Sequence, residues 1–357
     1  MSFSNRLLKW YRANKRQLPW RNSKNPYERW ISEIILQQTR VQQGIKYYFN
    51  FIENFPTIVD LANADENDVM KCWEGLGYYS RARNLHKTAK QIVHQKNGQF
   101  PNNFKELLKL PGIGPYTASA ISSICFKEVQ PTIDGNVYRF LSRYFGIEEA
   151  IDSSSSYKIF HKCAQSLIHP KSPGDFNEAM MEFGAMVCTA KNPSCTECPF
   201  NIDCVARKQN EIHKFPVKIK KLKKTKRSFH FIFFEYDGKI LLQKRKEKDI
   251  WFQLYQFPQI EVTSGNTIRE ALEKVGFAKL ENDHINLVSK EKHLLTHQEL
   301  TIYIYGNCSK QLYDCFLEKT DIFEIGIMEG IDKLTFPKPL KNFITKYYGN
   351  QQSNFNR

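Results

Sequence analysis

The sequence predicts a mainly α-helical domain followed by a smaller α+β domain, and three observations support this division. Segments with helical periodicity, separated by short breaks, fill most of residues 29–209. Beyond residue 228, β-rich runs surround the turn pair Asp237-Gly238 and one helical segment. The length of 357 residues suits two or three domains rather than one. The expected boundaries are 1–209 for the helical domain, 210–228 for a linker and 229–350 for the α+β domain.

Composition and charge exclude several classes of protein. With 41% hydrophobic and 25% charged residues, the chain has globular proportions, which excludes a disordered or fibrous protein. No apolar run is long enough for a transmembrane helix, so a cytoplasmic protein is expected. The net charge of +15 lies in residues 1–227, because residues 228–357 carry 17 basic and 17 acidic residues. A basic first domain favours a polyanionic partner, with a merely solvated basic surface as the alternative.

Apolar spacing and turn residues predict the elements in order along the chain. The helical segments expected in the first domain are 29–41, 78–95, 104–110, 117–126, 137–145, 157–168 and 176–188. Segment 210–228 is strongly basic and lacks helical periodicity, which indicates an interdomain linker. The second domain should contain a hairpin at Asp237-Gly238, a helix over 268–275 and a strand over 299–308.

A cysteine cluster closes the helical domain. Cys188, Cys195, Cys198 and Cys204 form a C-x6-C-x2-C-x5-C series within 17 residues. Four thiolates so close together can converge on one metal centre, and a disulfide pair is less favoured in an intracellular protein. The spacing by itself leaves zinc and a [4Fe–4S] cluster both open.

A glycine-rich turn is the second motif. Gly112 and Gly114 lie in the string Leu110–Thr117, after a helical segment and directly before another helix. Two glycines one residue apart let the backbone turn tightly and approach a ligand closely. The exposed N–H groups and the positive end of the following helix favour a phosphate group.

Two carboxyl groups in different surroundings can divide the roles of proton donor and fixed negative charge. Glu33 shares a helix face with Trp30 and Gln37, and its apolar neighbours should raise its pKa. Asp134 lies where it can cap the next helix, and the positive helix end favours its ionised form. Each residue also has a purely structural interpretation, as a solvated helix position and as a cap.

Taken together, these strings resemble the MutY-type adenine DNA glycosylases of the helix-hairpin-helix superfamily. The resemblance implies that Glu33 protonates the adenine and that Asp134 stabilises the oxocarbenium-like sugar. It also implies a structural [4Fe–4S] cluster bound by the four clustered cysteines. Tyr116 occupies the position at which endonuclease III-type enzymes carry the Schiff-base lysine, so a monofunctional glycosylase assisted by Tyr116 is expected.

The same resemblance assigns substrate contacts. Trp20 and Arg21 match the segment that lines the adenine pocket, and Glu178 is a further pocket residue. The residues that match DNA-contacting positions near the lesion are Leu36, Gln38 and Tyr78.

The second domain resembles the Nudix-like domain of that family. Lys274 replaces an expected acid in the remnant of the metal-binding helix, which argues against a magnesium pyrophosphatase. Thr296 and His297 align with the last two residues of a Phe-Ser-His loop that contacts 8-oxoguanine, and Leu295 replaces the aromatic residue.

These observations lead to one expected function and three alternatives. We expect a monomeric adenine DNA glycosylase that acts on double-stranded DNA containing adenine opposite 8-oxoguanine or guanine. An endonuclease III-like glycosylase/lyase for oxidised pyrimidines is the second hypothesis, and a non-enzymatic iron–sulfur DNA-binding protein is the third. A Nudix hydrolase is a distant fourth. No sequence feature identifies a protein partner, such as a replication clamp or another repair protein.

Overall fold

A computed structural model describes residues 1–219, 224–262, 268–274, 285–306, 309–319, 321–326 and 330–355. The chain divides into two compact units. The first unit consists of Met1–Ala64 and Arg83–Lys221, and the second consists of Asp65–Ala82 together with residues 222–357. The expected division at residues 209 and 229 therefore differs in one respect, because segment 65–82 groups with the C-terminal unit.

The residues before 210 form helices joined by turns and loops. The helices are α1 (Phe3–Asn14), α2 (Pro26–Leu36), α3 (Val41–Asn54), α4 (Ile58–Asn63), α5 (Glu66–Cys72), α6 (Ser80–Lys96), α7 (Phe104–Leu107), α8 (Pro115–Phe126), α9 (Gly135–Phe145), α10 (Ser156–Leu167), α11 (Pro173–Met186) and α12 (Val205–Lys208). Each predicted helical segment overlaps one of these helices, so the mainly helical class is confirmed.

Several helix boundaries differ from the prediction by one to five residues. Helix α2 ends at Leu36 rather than at residue 41, and Gln38 adopts a left-handed backbone conformation with φ 58°. Helix α6 begins at Ser80 rather than at residue 78, because Tyr78 is also left-handed, with φ 48°. Helix α7 stops at Leu107, three residues before its predicted end. Left-handed backbone is uncommon for residues other than glycine and cannot continue a right-handed helix.

Phenylalanine side chains dominate the core of the first unit, where α9 and α11 pack against α1 and α10. The buried rings belong to Phe140, Phe160, Phe176, Phe183 and Phe200. Helices α9 and α11 approach closely at Gly184, where an added Cβ would lie 2.6 Å from Asn136 Cβ. The absence of a side chain at this position therefore sets the distance between α11, which carries Glu178 and Glu182, and the first turn of α9, whose N-cap is Asp134.

The described residues of the second unit form two four-stranded sheets. Its strands are β1 (Thr225–Ile232), β2 (Glu235–Tyr236), β3 (Lys239–Lys244), β4 (Tyr255–Gln256), β5 (Gln259–Ile260), β6 (Asn286–Leu294), β7 (Gln298–Gly306) and β8 (Ile322–Gly326). One sheet has the order β5-β1-β7-β6, with β1 and β7 parallel. In the other sheet β3 pairs with β2, β4 and β8.

Among the described residues after 224, the α-helices are α13 (Ile268–Lys274), α14 (Lys310–Leu317) and α15 (Lys338–Phe355). Apolar side chains from β1, β3 and α14, including Ile232, Leu241 and Phe316, form a buried cluster. This arrangement confirms the α+β class of the C-terminal part.

The local predictions for this unit are largely confirmed. The hairpin turn at Asp237-Gly238 has φ 47° and 68°, as expected of a two-residue turn with positive φ at both positions. The predicted strand 299–308 corresponds to β7, and its residues 307 and 308 lie outside the described part of the chain. The predicted helix 268–275 corresponds to α13, with residue 275 also outside the described part.

The predicted linker is partly structured. A 3-10 turn occupies Ile212–Lys214, and β1 begins at Thr225, before the predicted end of the linker at residue 228. Residues 220–223 lie outside the described residues. Within the part of the chain that the structure describes, no helix is long and apolar enough to cross a membrane.

The contact at Gly184 gives a stability prediction. Gly184→Ala should lower the free energy of unfolding by about 1–3 kcal/mol, because the new methyl group must displace α9 from α11. Denaturant unfolding monitored by circular dichroism measures this. Gly135→Ala on α9 is the matched control, because an added Cβ there meets no atom within 4 Å. Equal stability of the two variants would contradict the prediction.

Candidate active site and DNA-contacting elements

Glu33 lies on the inward face of α2 and is buried, with 5% of its surface exposed. Burial raises its pKa above the usual range, and this effect outweighs the opposing influences of the Arg29 charge and of the Tyr116 hydrogen bond. The negative charges of Glu178 and Asp134 raise the pKa further. The site therefore favours the protonated carboxyl group, which is the direction that the sequence predicted.

Tyr116 connects α8 to this carboxyl group. Its hydroxyl donates a hydrogen bond of 2.7 Å to Glu33 Oε2 and lies 3.2 Å from Met181 Sδ on α11. Burial strongly raises the pKa of the phenol, so the phenol remains neutral and can act as a donor. Tyr116 thus orients the Glu33 carboxyl group and offers no amine nucleophile.

Asp134 is the N-cap of α9, as the sequence predicted. Its Oδ1 accepts hydrogen bonds from the backbone N–H groups of Asn136 (2.9 Å) and Val137 (2.8 Å), and its Oδ2 accepts one from Asn136 Nδ2 (2.7 Å). Burial raises the pKa of Asp134, against the effect of these hydrogen bonds and of the Arg139 charge. This direction differs from the expectation that the helix end alone would dominate, because the cap lies in a poorly solvated position.

Glu178 on α11 binds residues of two other helices. Its carboxylate forms an ion pair with Arg29 of α2 and accepts a hydrogen bond of 2.8 Å from Tyr11 Oη of α1. Arg29 lies one turn before Glu33, so Glu178 compensates a positive charge beside the candidate acid. Burial would lower the pKa of Arg29, but the Glu178 and Glu33 charges reverse this and raise it.

Trp20 and Arg21 lie in a 3-10 turn, Pro19–Asn22, and both side chains are engaged with the protein. The Trp20 ring is 3% exposed and packs edge-to-face against Tyr48 at 5.3 Å between centroids. Both terminal nitrogens of Arg21 donate to the Glu182 carboxylate at 3.0 Å. In this conformation Trp20 is a core residue, and its predicted stacking on a base would require a rearrangement.

Four residues of this network were not predicted from the sequence. They are the acidic residue Glu182 and three partners of the acidic residues, namely Tyr11, Arg16 and Arg29. A signal for part of this set exists in the sequence. Glu178 and Glu182 are one turn apart in the otherwise apolar string FNEAMMEFGAM, so both carboxylates must lie on one buried face. Buried carboxylates need cationic partners, although the sequence does not say which arginines supply them.

The glycine turn between α7 and α8 has the predicted hairpin form. Leu110 and Ile113 anchor it in the core, while Gly112 and Gly114 are exposed. Gly112 has φ 73°, and an added Cβ would lie 2.7 Å from Asn84 Cβ. Gly114 is the N-cap of α8 and Pro115 is its first residue, so the positive helix end faces the exposed side of the turn.

The four clustered cysteines line a single cavity with apolar walls that include Phe140, Phe183 and Phe200. Four thiol donors around one space suit an iron–sulfur cluster, which is bound by four cysteine thiolates. Within the described residues, no group of three or more His, Cys, Asp or Glu side chains surrounds a single-ion position. The donor set thus fits the predicted cofactor without identifying it.

Arg143 of α9 stabilises the cysteine loop. Its buried guanidinium donates to the carbonyl oxygens of Thr189 (2.7 Å) and Ala190 (3.1 Å), and it lies 3.5 Å from Cys188 Sγ. Its own carbonyl oxygen accepts from Cys204 Sγ at 3.4 Å. The loop therefore has a defined conformation that is set by the same helix whose N-cap is Asp134.

Two residues predicted to contact the lesion meet within the second unit. Tyr78, 42% exposed, forms a hydrogen bond through its hydroxyl group with Thr296 Oγ1 in the turn between β6 and β7. The neighbouring His297 is exposed, and its carbonyl oxygen accepts from Thr225 N at 3.0 Å. Segment 65–82 is held in this unit by Lys71 Nζ, which donates to Leu334 O at 3.2 Å.

The other two residues of the predicted DNA-contacting set are in the first unit. Leu36 is the last residue of α2 and is half-buried, whereas Gln38 is exposed in the left-handed turn that follows. A left-handed residue other than glycine stores backbone strain, which is common at binding sites. Gln38 shares this feature with Tyr78.

The hairpin geometry gives a binding prediction. Gly112→Ala should reduce affinity for duplex DNA at least about tenfold, because the methyl group meets Asn84 and the residue must remain at positive φ. Fluorescence anisotropy with a labelled duplex measures the affinity. Gly98→Ala is the matched control, since Gly98 has φ 75° outside this turn and an added Cβ there meets no atom within 4 Å. If both variants bind like the wild type, the turn does not contact DNA.

Comparison with protein families identifies two regions. Residues 31–166 match the family described as HhH-GPD superfamily base excision DNA repair protein. Residues 229–346 match the NUDIX domain family. The first match covers Glu33, Asp134 and the glycine turn, and the second covers most of the C-terminal unit.

Similar curated proteins share one name. The chain is 39% identical over 306 residues to the adenine DNA glycosylase of Buchnera aphidicola subsp. Baizongia pistaciae, covering 85% of this chain and 84% of that protein. It is 36% identical to the adenine DNA glycosylase of Arabidopsis thaliana (84% of this chain, 56% of that protein). The adenine DNA glycosylase of Homo sapiens is 42% identical over 219 residues (59% of this chain, 40% of that protein).

Solved structures resemble the helical part. A thermostable thymine-DNA glycosylase superposes with a TM-score of 0.54 at 27% identity, over 58% of this chain and 95% of that chain. Endonuclease III in a non-covalent DNA complex superposes with a TM-score of 0.50 at 24% identity, over 58% of this chain and 94% of that chain. The second likeness shows the shared helical fold.

Proposed function

The chain belongs to the adenine DNA glycosylases of base excision repair, and we propose that it hydrolyses the glycosidic bond of adenine paired with 8-oxoguanine or guanine. The observation that carries this proposal is the hydrogen-bonded pair Tyr116–Glu33, a buried carboxyl group with a raised pKa beside a second carboxyl group, Asp134. The product is an abasic site. Tyr116 supplies no amine, so strand cleavage through a Schiff base is not part of the proposed reaction.

In the proposed mechanism, the flipped adenine accepts the Glu33 proton at N7, which makes the base a better leaving group. Tyr116 orients the carboxyl group before transfer, and burial keeps the proton on Glu33 until a base with a free lone pair arrives. As the bond breaks, positive charge develops on the sugar. The Asp134 carboxylate, once ionised, stabilises this charge, and water then adds to the sugar.

The selection of the mispair is proposed to use the second unit. Tyr78 and Thr296 are hydrogen-bonded to each other and both belong to exposed segments, so they can contact the same nucleotide. The Thr296 hydroxyl can serve as donor or acceptor to the edge of an oxidised purine. His297 is exposed beside it and can contact a phosphate.

The four clustered cysteines are proposed to ligate a [4Fe–4S] cluster, with Arg143 supporting the loop. When bound, such a cluster links the four thiolates and orders the segment between them. The chain's own contribution is to present four sulfur donors from one loop whose backbone is already hydrogen-bonded to α9. No step of base removal depends on it.

Base release from four duplexes tests the proposed function. Adenine opposite 8-oxoguanine or guanine should be released to give alkali-labile sites, with A:T duplex and an oxidised pyrimidine opposite guanine spared. Glu33→Gln should lower the single-turnover rate by about 10²–10⁴-fold, because the general acid is lost. Glu28→Gln, on the same helix, is the matched control and should retain activity. Alkali-independent cleavage of the pyrimidine duplex would instead indicate a glycosylase/lyase.

The pH profile provides a second readout on the same variants. The wild-type rate should fall about tenfold per pH unit above the Glu33 pKa, because the protonated form of Glu33 is active. It should also fall below the Asp134 pKa, because the proposed mechanism uses the ionised form of Asp134. A rate that rises with pH above the Glu33 pKa would exclude Glu33 as the acid.

Metal analysis tests the cofactor. The purified protein should contain about four iron and four sulfide per chain, and Cys198→Ser should lower both. Cys315→Ser is the control, because Cys315 is exposed and lies outside the cluster. Stoichiometric zinc in place of iron would contradict the assignment.

A further inference from the structure

Glu182 is a buried carboxylate with an unusually complete set of donors. It is 2% exposed and accepts five hydrogen bonds from two arginines. Arg16 contributes its backbone N–H and two guanidinium nitrogens at 2.6–2.9 Å, and Arg21 contributes two nitrogens at 3.0 Å. Burial alone would raise the pKa of Glu182, but these bonds outweigh it and hold the pKa at about 2. Glu182 is therefore a fixed negative charge at any physiological pH.

Arg21 lies between two acidic residues of α11. While its terminal nitrogens bind Glu182, its Nε lies 3.8 Å from Glu178 Oε1, beyond hydrogen-bond distance. Among the described residues, Arg21 Nε has no hydrogen-bond partner although it is buried. Arg21 Nη1 also donates to Arg16 O at 2.7 Å. Without Glu182 this would be the one remaining bond of the terminal nitrogens within the described part of the chain, and a rotation of the guanidinium would bring Nε within reach of Glu178.

Glu178 already has a partner, and that partner borders the candidate acid. Arg29 forms an ion pair with Glu178 and is one helical turn from Glu33. If Arg21 bound Glu178, the Arg29 charge would lose its compensation. An uncompensated cation beside Glu33 favours the ionised carboxylate, which cannot donate a proton.

We propose that Glu182 is a positioning residue for base removal: it retains Arg21, so that Glu178 remains the partner of Arg29 and Glu33 keeps its proton. The assignment rests on the proposed role of Glu33 as the acid. Glu182 would act on Glu33 without contacting the substrate. Its effect would pass through Arg21, Glu178 and Arg29 in turn. The series Arg16, Glu182, Arg21, Glu178, Arg29 alternates in sign along its length.

The groups that act on Glu33 come from four elements. Arg29 is on its own helix, Tyr116 is on α8, Asp134 precedes α9 and Glu178 is on α11. Of these, Glu178 is the group whose partner depends on Glu182. A change at Glu182 should therefore reach Glu33 through Glu178 and Arg29, and leave the Tyr116 bond unaltered.

The test is the pH dependence of single-turnover excision by the full chain on the A:8-oxoguanine duplex. Glu182→Gln should move the fall in rate to lower pH, and each unit of displacement lowers the rate about tenfold on the alkaline side. The double variant Arg21→Gln/Glu182→Gln should restore the wild-type midpoint, because no guanidinium remains to bind Glu178. Duplex affinity should change less than the rate. Asp175→Asn, an exposed acid on the same helix, is the charge-matched control and should leave the midpoint unchanged.

Three outcomes overturn the proposal: an unchanged midpoint in Glu182→Gln, a uniform loss of rate at every pH, or a displaced midpoint that persists in the double variant. If Glu182→Gln does not fold, Arg16→Gln/Glu182→Gln removes a balanced pair and should show the same displacement. Failure of the proposed function is distinguishable, because it would appear as an inactive wild type or an active Glu33→Gln.

Discussion

Burial of three carboxyl groups in one helical unit is the constraint on which the rest of the site depends. An unpaired carboxylate is costly to remove from water, so each must either bind cations or keep its proton. Glu182 follows the first course, with two arginines and a depressed pKa, and Glu33 follows the second, with a raised pKa. Glu178 also binds a cation, as the ion-pair partner of Arg29, and its Oε1 lies 3.8 Å from Arg21 Nε. Two glutamates of one unit therefore differ in the form that their surroundings favour. The arginines favour the ionised form of Glu182, and burial favours the protonated form of Glu33.

Local patterns explain why so much of the fold could be predicted. The helices, the Asp237-Gly238 hairpin and the glycine turn each depend on residues close in sequence, where periodicity and turn chemistry are informative. Glu33 and Asp134 were identifiable because their strings resemble a known family. The arginine partners were not, because Glu182 and Arg21 are 161 residues apart and no local pattern joins them. The left-handed residues Gln38 and Tyr78 escaped prediction for the opposite reason, since ordinary side chains there give no signal of positive φ.

The placement of segment 65–82 shows a further limit of local reasoning. Its sequence continues the helical pattern of the first domain, yet its tertiary contacts are with the C-terminal unit. Lys71 donates to Leu334 O, and Glu74 Oε1 accepts from Phe336 N at 3.3 Å. These bonds position the loop that carries Tyr78, so the hydrogen bond between Tyr78 and Thr296 is one of several contacts rather than an isolated one. A domain boundary based on composition alone cannot show that a segment from the N-terminal half of the chain, here 65–82, belongs to the C-terminal unit.

The geometry of Asp134 bears on how the sugar is stabilised. Both of its oxygens accept hydrogen bonds from the first turn of α9, and one of these donors is the Asn136 side chain. Asn136 Oδ1 in turn accepts from Arg139 Nη2 at 2.8 Å, which restricts the rotation of the amide. Oδ1 accepts both backbone bonds of the cap, so the carboxyl group is held at a fixed position at the start of α9. Within the proposed mechanism, the ionised form of this fixed group stabilises the cation that develops on the sugar, and water forms the final bond.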